Sequence, residues 1–128
     1  MTALIFTAGA SIGTMYLSQP SPTPNPTGIV EHQFTEYTVS DGSGNTAQKT
    51  GLIFTLVSLE RGEYVTIKYL PEDGSSQTFS SQLQNPGDTL KYPDTLSENI
   101  EYGDEFLVIA HDTSTGKSNV IKTVSYTP

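Results

Sequence analysis

The sequence predicts an all-β fold for most of this chain, in the form of an antiparallel sandwich of short strands. Only 34% of the residues are hydrophobic and 16% are charged, so most of the remainder are the small and polar residues of turns and strand faces. From residue 28 onward, short apolar segments alternate with clusters of Gly, Pro, Asn and Asp, with no helical periodicity between them. A chain of 128 residues is long enough for one such domain.

The charged residues divide the chain into unlike parts. All 14 acidic and 6 basic side chains lie beyond residue 30, the first of them being Glu31. We therefore predict an apolar N-terminal helix over residues 1–18, a Pro-rich linker over 19–28 and a β-sandwich domain over 29–128.

The N-terminal region contains the apolar run ALIFTAGASIGTMYL at residues 3–17. About 17 residues is the lower limit for a helix that crosses a hydrocarbon core, and the spacing of Gly9 and Gly13 lets helix backbones approach closely. No basic residue precedes the run, as one would in a cleavable secretory signal, so we expect the run in the mature protein. The segments LIFT and TMYL also suit strands, because each glycine weakens a helix by about 1 kcal/mol relative to alanine.

We predict that this region is a filament core or a membrane anchor. As a helix it would bury apolar side chains among identical helices, which contributes at best about 3 kcal/mol for each side chain. The predicted assembly interface consists of Leu4, Ile5, Phe6, Gly9, Ile12, Gly13, Met15, Tyr16 and Leu17. The rival hypothesis is donor-strand exchange, in which residues 3–17 complete the sandwich of a neighbouring subunit as an extended strand.

The linker has Pro20, Pro22, Pro24 and Pro26 at every second position. Proline fixes its own φ and pushes the preceding residue into the extended region, so this stretch is predicted to be a semi-rigid spacer. At about 3 Å per residue it would hold the sandwich roughly 20 to 30 Å from whatever anchors the N-terminal region.

The folded part is predicted to contain seven or eight strands. They are residues 29–39, 51–59, 64–70, 77–83, 89–92, 99–102, 105–111 and 118–126. An antiparallel sandwich with this number of short strands is immunoglobulin-like, although the Cys and Trp of antibody domains are absent.

Three finer expectations concern pairing and burial. The apolar segment 51–59 is predicted to be a central strand covered on both faces, and to form a hairpin with 64–70 through the polar connection 60–63. Within 64–70, alternation places Val65, Ile67 and Tyr69 inward. In the last strand, residues 120, 124 and 126 are predicted to share one face.

The composition argues against several functions. A net charge of −8 opposes binding to nucleic acid, and zero Cys excludes thiolate chemistry. His32 and His111 are far apart in sequence, and the loop that begins at Asp41 lacks the bidentate Glu of a calcium loop, since Leu52 stands there. The adjacent carboxylates at 72–73 and 104–105 are predicted to be solvated. We therefore expect no enzyme, no catalytic residues, no metal and no cofactor.

The layout of the whole chain resembles that of archaeal type IV pilin-like proteins. The features that carry the resemblance are the uncharged N-terminal segment with small residues, the Pro/Ser/Thr stalk, and an acidic sandwich with GDEFLV at 103–108, TGK at 115–117 and a closing strand. The group includes pilins, archaellins and archaellum-associated stator proteins. The resemblance implies an N-terminal helix that sits in the membrane and then enters a filament core or remains an anchor, with the sandwich outside.

The sequence thus predicts a structural subunit of an extracellular filament or surface appendage. Its expected partners are further copies of itself through residues 2–18, a membrane or a cell-surface layer, with no nucleic acid and no small-molecule substrate. One alternative is a viral or phage structural protein, such as a capsid decoration or tail subunit. Another is a surface- or carbohydrate-binding module that uses exposed aromatics, with candidates Tyr37, Tyr64, Tyr69, Tyr92, Tyr102 and Tyr126.

Overall fold

The structure is a computed structural model that describes residues 24–128. These residues form seven strands: β1 (Thr27–Ser40), β2 (Thr46–Arg61), β3 (Tyr64–Leu70), β4 (Gln77–Thr78), β5 (Thr89–Tyr92), β6 (Glu105–Asp112) and β7 (Lys117–Ser125). The predicted N-terminal helix and all nine residues of the predicted assembly interface lie outside the described residues. The described part of the chain has no helix that could span a membrane.

The strands form two antiparallel sheets, which confirms the all-β prediction. One sheet has the order β1-β2-β5 and the other the order β4-β3-β6-β7. The sheets pack face to face, since Phe54 of the first lies 5.9 Å from Phe106 of the second and Tyr92 lies 4.6 Å from Tyr69, measured between ring centroids.

The core is built by the alternation of the strands. Every second residue of a strand faces the opposite sheet, and the inward side chains of β3, Val65, Ile67 and Tyr69, are buried as predicted. The other fully buried hydrophobic core side chains are Leu52, Phe54, Leu56, Leu83, Phe106, Val108 and Ala110. These apolar faces, removed from water, supply most of the driving force for folding.

The predicted hairpin between 51–59 and 64–70 is wrong. The long hairpin is formed by β1 and β2, whereas β2 and β3 belong to different sheets. Gly62, with a φ of +128°, and the hydrogen bond from the Glu63 N–H to the His111 carbonyl (2.7 Å) carry the chain from one sheet to the other. A short polar connection therefore joins the two sheets here instead of two paired strands.

β2 is central, between β1 and β5, but only its inner face is covered. On the outer face Ile53 and Thr55 are half-buried and Val57 is 41% exposed, so the expectation of cover on both faces is wrong. The outer side chains remain in contact with water because no second layer lies over this part of the sheet among residues 24–128.

Three other strand predictions need correction. Of 77–83 only Gln77–Thr78 forms a strand, followed by an isolated bridge between Leu83 and Val65, and residues 99–102 form no strand but lead into a turn at Tyr102 and Gly103. In β7, Val120 is 48% exposed whereas Val124 is buried, because the register between β6 and β7 shifts after Val108. This irregularity turns residues 120 and 124 to different environments.

Candidate functional site

The sandwich has two seams where the edge strands of its sheets approach each other. At the first seam, Lys122 of β7 donates a hydrogen bond from Nζ to the Val30 carbonyl of β1 (2.9 Å), and the Asn119 side-chain amide donates to the Pro26 carbonyl (3.0 Å). Direct hydrogen bonds therefore tie this seam together.

At the second seam, between β4 and β5, lies a groove of about 580 Å³. Its floor is apolar: Leu90 and Tyr92 of β5 are buried, and the half-buried Phe79 ring stacks on Tyr92 at 5.5 Å and on Tyr69 at 6.0 Å. Its rims are polar, formed by Ser, Thr and Gln side chains together with Lys91, Asp94 and Glu98. We call this feature the seam groove.

The seam groove exists because the sheets differ in width. β1 contacts β6 and β7, and β5 faces β3 through the contact of Tyr92 with Tyr69. β4 lies one strand further out, and within residues 24–128 no strand of the three-stranded sheet faces it. The groove occupies the position where a fourth strand of that sheet would lie.

The groove side of β5 has backbone groups that no described strand pairs with. Leu56 of β2 donates its N–H to the Asp88 carbonyl (2.9 Å) and accepts from the Gly87 N–H (2.8 Å). By the two-residue alternation of an antiparallel ladder, Leu90 and Tyr92 turn their backbone groups toward β2. The backbone groups of Thr89 and Lys91 consequently turn toward the groove, which is the arrangement of a strand edge open to pairing.

A row of aromatic rings crosses the end of the first seam. Phe34 of β1 lies 5.1 Å from Tyr126, and Tyr126 stacks on Tyr102 at 4.8 Å. Tyr102 is 57% exposed and Phe34 37% exposed. Of the six tyrosines predicted as candidates for ligand contact, Tyr102 and Tyr126 lie in this row, whereas Tyr69 and Tyr92 belong to the core.

The two histidines lie in different places. His32 lies edge-on to Phe34 with 5.9 Å between the ring centroids, and it lines a depression of about 440 Å³ with Lys122. Burial, and next the positive charge of Lys122, lower the pKa of His32.

His111 lies on the outer face of the four-stranded sheet. Its Nε2 is hydrogen-bonded to the Thr66 hydroxyl (2.7 Å), its Nδ1 to the Ser118 hydroxyl (2.8 Å), and its ring stacks on Tyr64 at 4.7 Å. Burial lowers the pKa of His111. Because a hydroxyl occupies each ring nitrogen, this cluster lacks the carboxylate-oriented imidazole of a Ser-His-Asp triad.

The loop that begins at Asp41 is held by its own carboxylate. Oδ1 accepts from the N–H groups of Ser43 (2.7 Å) and Asn45 (3.3 Å), and Oδ2 accepts from the Asn45 side-chain amide (2.9 Å). These bonds, that of the Asn45 side chain first, lower the pKa of Asp41. The carboxylate closes the β1–β2 hairpin, as an Asx-turn does.

The expectation that the carboxylates at 104–105 are solvated is wrong for Asp104, which is 2% exposed. Its carboxylate accepts from the Tyr69 hydroxyl (2.8 Å) and from the backbone N–H groups of Glu72 (2.9 Å) and Glu101 (2.9 Å). Three donors thus hold one buried carboxylate, which pins two loops to the core. Its neighbour in sequence, Glu105, is exposed, so the pair 104–105 did not indicate that Asp104 would be a buried hydrogen-bond acceptor.

Among residues 24–128, no group of three or more His, Asp or Glu side chains is placed to hold a metal ion. Comparison with family models, curated proteins and solved structures found no significant match to this chain.

The seam groove was not found from the sequence, because it arises from the order of strands in the sheets. Its only sequence signal is the turn-rich stretch 71–88, which leaves β4 short.

Proposed function

We propose that this protein is a structural, non-catalytic subunit of an extracellular filament or surface appendage. It assembles through the apolar segment 2–18 and displays the β-sandwich at the surface of the assembly. In the same proposal, the sandwich is immunoglobulin-like. Its first, second and fifth strands share one sheet while the third, sixth and seventh share the other, as in an immunoglobulin constant domain, and β4 joins β3 instead of β5.

The observation that carries this proposal is the separation of apolar and charged chemistry along the chain. Thirty residues without a charged side chain precede Glu31, and the chain from Glu31 onward holds all 14 acidic and all 6 basic residues. A domain with net charge −8 resists self-association through its own surface. An uncharged segment joined to it by a Pro-rich spacer supplies the adhesive contact instead.

The polar clusters of the sandwich support a structural role. The hydroxyl partners of His111, the loop-closing bonds of Asp41 and the three donors around Asp104 each satisfy the group concerned within the fold. Buried and half-buried polar groups of this kind are typical of structural networks.

The experiment is a pair of charge insertions read by sedimentation velocity. The full chain with Ile12→Asp places a charge inside the apolar segment, and the matched control Ser21→Asp places it in the linker. We expect the control to sediment as large assemblies, as the unchanged chain does, and Ile12→Asp to sediment as a monomer. Assemblies of equal size for both variants would refute the proposal.

A second candidate function rests on the aromatic row of Phe34, Tyr126 and Tyr102. Exposed aromatic rings at a strand edge are suited to stacking against sugar rings or apolar surface groups. Affinity electrophoresis in polysaccharide gels tests it: binding that is lost in Tyr102→Ala and kept in Tyr64→Ala would favour a surface-binding module.

A further inference from the structure

We propose that the seam groove receives residues 3–17 of a second copy of this chain as an added strand along β5. The inference rests on the proposed function and assigns the acceptor site of the same assembly. The added strand would pair with the backbone groups of Thr89 and Lys91, and would extend the three-stranded sheet to four strands opposite β4.

The groove fits a strand better than a compact ligand. It lies along β5 and β4, which are the edges of their sheets at this seam. Backbone pairing supplies most of the affinity in strand addition, so polar rims are compatible with it, and pockets for alternate side chains supply specificity. Here the floor of Phe79, Leu90 and Tyr92 would meet every second side chain of the incoming strand.

The segment 3–17 has the chemistry that this site requires. Its even positions from 4 to 12 are Leu, Phe, Ala, Ala and Ile, whereas the odd positions from 5 to 11 are Ile, Thr, Gly and Ser. In an extended strand this places an unbroken apolar row on one face and, apart from Ile5, small or polar residues on the other. Five or six residues suffice for a typical strand, and fifteen would extend to about 50 Å, so the length is ample.

Charge also favours this segment over other parts of the chain. The residues that line the groove carry both signs, with Lys91, Asp94 and Glu98 among them. Among the described strands, β1, β2 and β6 contain acidic residues. Bringing another acidic surface to a domain of net charge −8 is unfavourable. The uncharged segment adds no like charge.

The donor is assigned to a second copy because of where the chain enters the sandwich. Pro26 is held at the first seam, where its carbonyl accepts from Asn119 of β7. The seam groove lies at the opposite edge of both sheets. Prolines at positions 20, 22, 24 and 26 favour an extended, semi-rigid spacer, which disfavours a path that bends back around the sandwich to the groove of the same chain, so we assign the donor to a second copy.

Disulfide trapping tests the proposal directly, because the chain has no cysteine of its own. One full-length chain carries Ser80→Cys, at an exposed position in the groove, and a second, tagged full-length chain carries a single cysteine at one position from 4 to 12 in turn. The matched control replaces Ser80→Cys by Ser125→Cys, which is exposed at the end of β7. Mixed chains are oxidised mildly and separated on non-reducing gels, where the tag identifies the unlike pair.

We expect the unlike pair to form with Ser80→Cys at least about tenfold more than with Ser125→Cys, because a docked strand raises the local concentration of the thiol. The yield should rise and fall with a period of two residues along positions 4 to 12. Equal yields with both acceptors, or a period of three to four residues, would overturn the inference.

A companion variant separates the inference from the proposed function. Ser80→Glu places a charge in the groove and should reduce assembly of the full chain at least about tenfold, while Ser125→Glu should leave it unchanged. Normal assembly of Ser80→Glu, with no trapping at Ser80→Cys, would refute the groove as the acceptor site but would leave the proposed function as a filament subunit unaffected. If the unchanged chain does not assemble at all, both the acceptor site and the proposed function as a filament subunit are refuted.

Discussion

The buried carboxylate of Asp104 is expected to be one of the largest polar contributions to the stability of the sandwich. Replacing it by alanine removes an acceptor from the Tyr69 hydroxyl and from two backbone N–H groups. Glu72 and Glu101 are exposed residues whose N–H bonds to Asp104 are part-buried, so we expect these N–H groups to recover water in part, whereas the Tyr69 side chain is buried. A hydrogen bond to a charged group contributes about 1.5 to 3 kcal/mol.

Asp104→Ala loses the full contribution of the hydrogen bond from Tyr69 and part of the contribution of the bonds from the two N–H groups. The free energy of unfolding should therefore fall by about 3 to 4 kcal/mol. In a domain of this size that corresponds to a decrease in Tm of roughly 15 °C. The assay is urea unfolding of residues 24–128, followed by circular dichroism, with Asp73→Ala as control. Asp73 is an exposed turn carboxylate, and its loss should change stability by less than about 0.5 kcal/mol.

A double-mutant cycle sharpens the test. Tyr69→Phe removes only the hydroxyl, and its effect should be smaller in the Asp104→Ala background by at least about 1 kcal/mol, because the two groups are hydrogen-bonded. If Asp104→Ala lies within about 1 kcal/mol of the unchanged protein, or if the two substitutions are additive, the carboxylate does not hold the loops as described.

Three further predictions concern the β1–β2 hairpin. Gly51→Ala should lower stability by about 1 to 3 kcal/mol, because a Cβ there would meet the Tyr92 carbonyl oxygen at 2.7 Å and the Tyr37 hydroxyl; urea unfolding measures this, and an unchanged midpoint would contradict it. Burial, and then the charges of Asp94 and Glu98, raise the pKa of Tyr37 to about 12. Stability should therefore be independent of this group below about pH 10 and fall as pH rises from about 10 to 12, less steeply in Tyr37→Phe; identical slopes would refute the assignment. Asp41→Ala should lower the Tm, because the three hydrogen bonds that close the hairpin loop are lost, and calcium should leave the Tm of the unchanged protein as it is; a calcium-dependent rise would mean that the Asp41 loop binds the ion.

The strands with clear alternation could be predicted from the sequence. β3, with Val65, Ile67 and Tyr69 inward, and β6 both lie where the pattern placed them, because burial of every second residue leaves a direct trace in the sequence. The same pattern cannot say which strands pair, since any two amphipathic strands satisfy it. The predicted hairpin of β2 with β3 failed for that reason.

The features that the sequence did not predict depend on contacts between distant residues. Asp104 becomes a buried acceptor only when β3 and the loops that contain Glu72 and Glu101 surround it. The seam groove requires that β4 and β5 end their sheets at the same seam. Local patterns do not report such arrangements. For that reason Asp104 was assigned the wrong environment from its neighbours in sequence, and the turn-rich stretch 71–88 was not enough to predict the groove.

The central claim is that this chain builds filaments through its apolar N-terminal segment. Negative-stain electron microscopy of the intact chain beside a chain without residues 2–18 tests it most directly. We predict regular fibres from the intact chain and single sandwich-sized particles from the shortened one. Dispersed monomers from the intact chain, closed or tail-like particles, or fibres that persist after the deletion would contradict it.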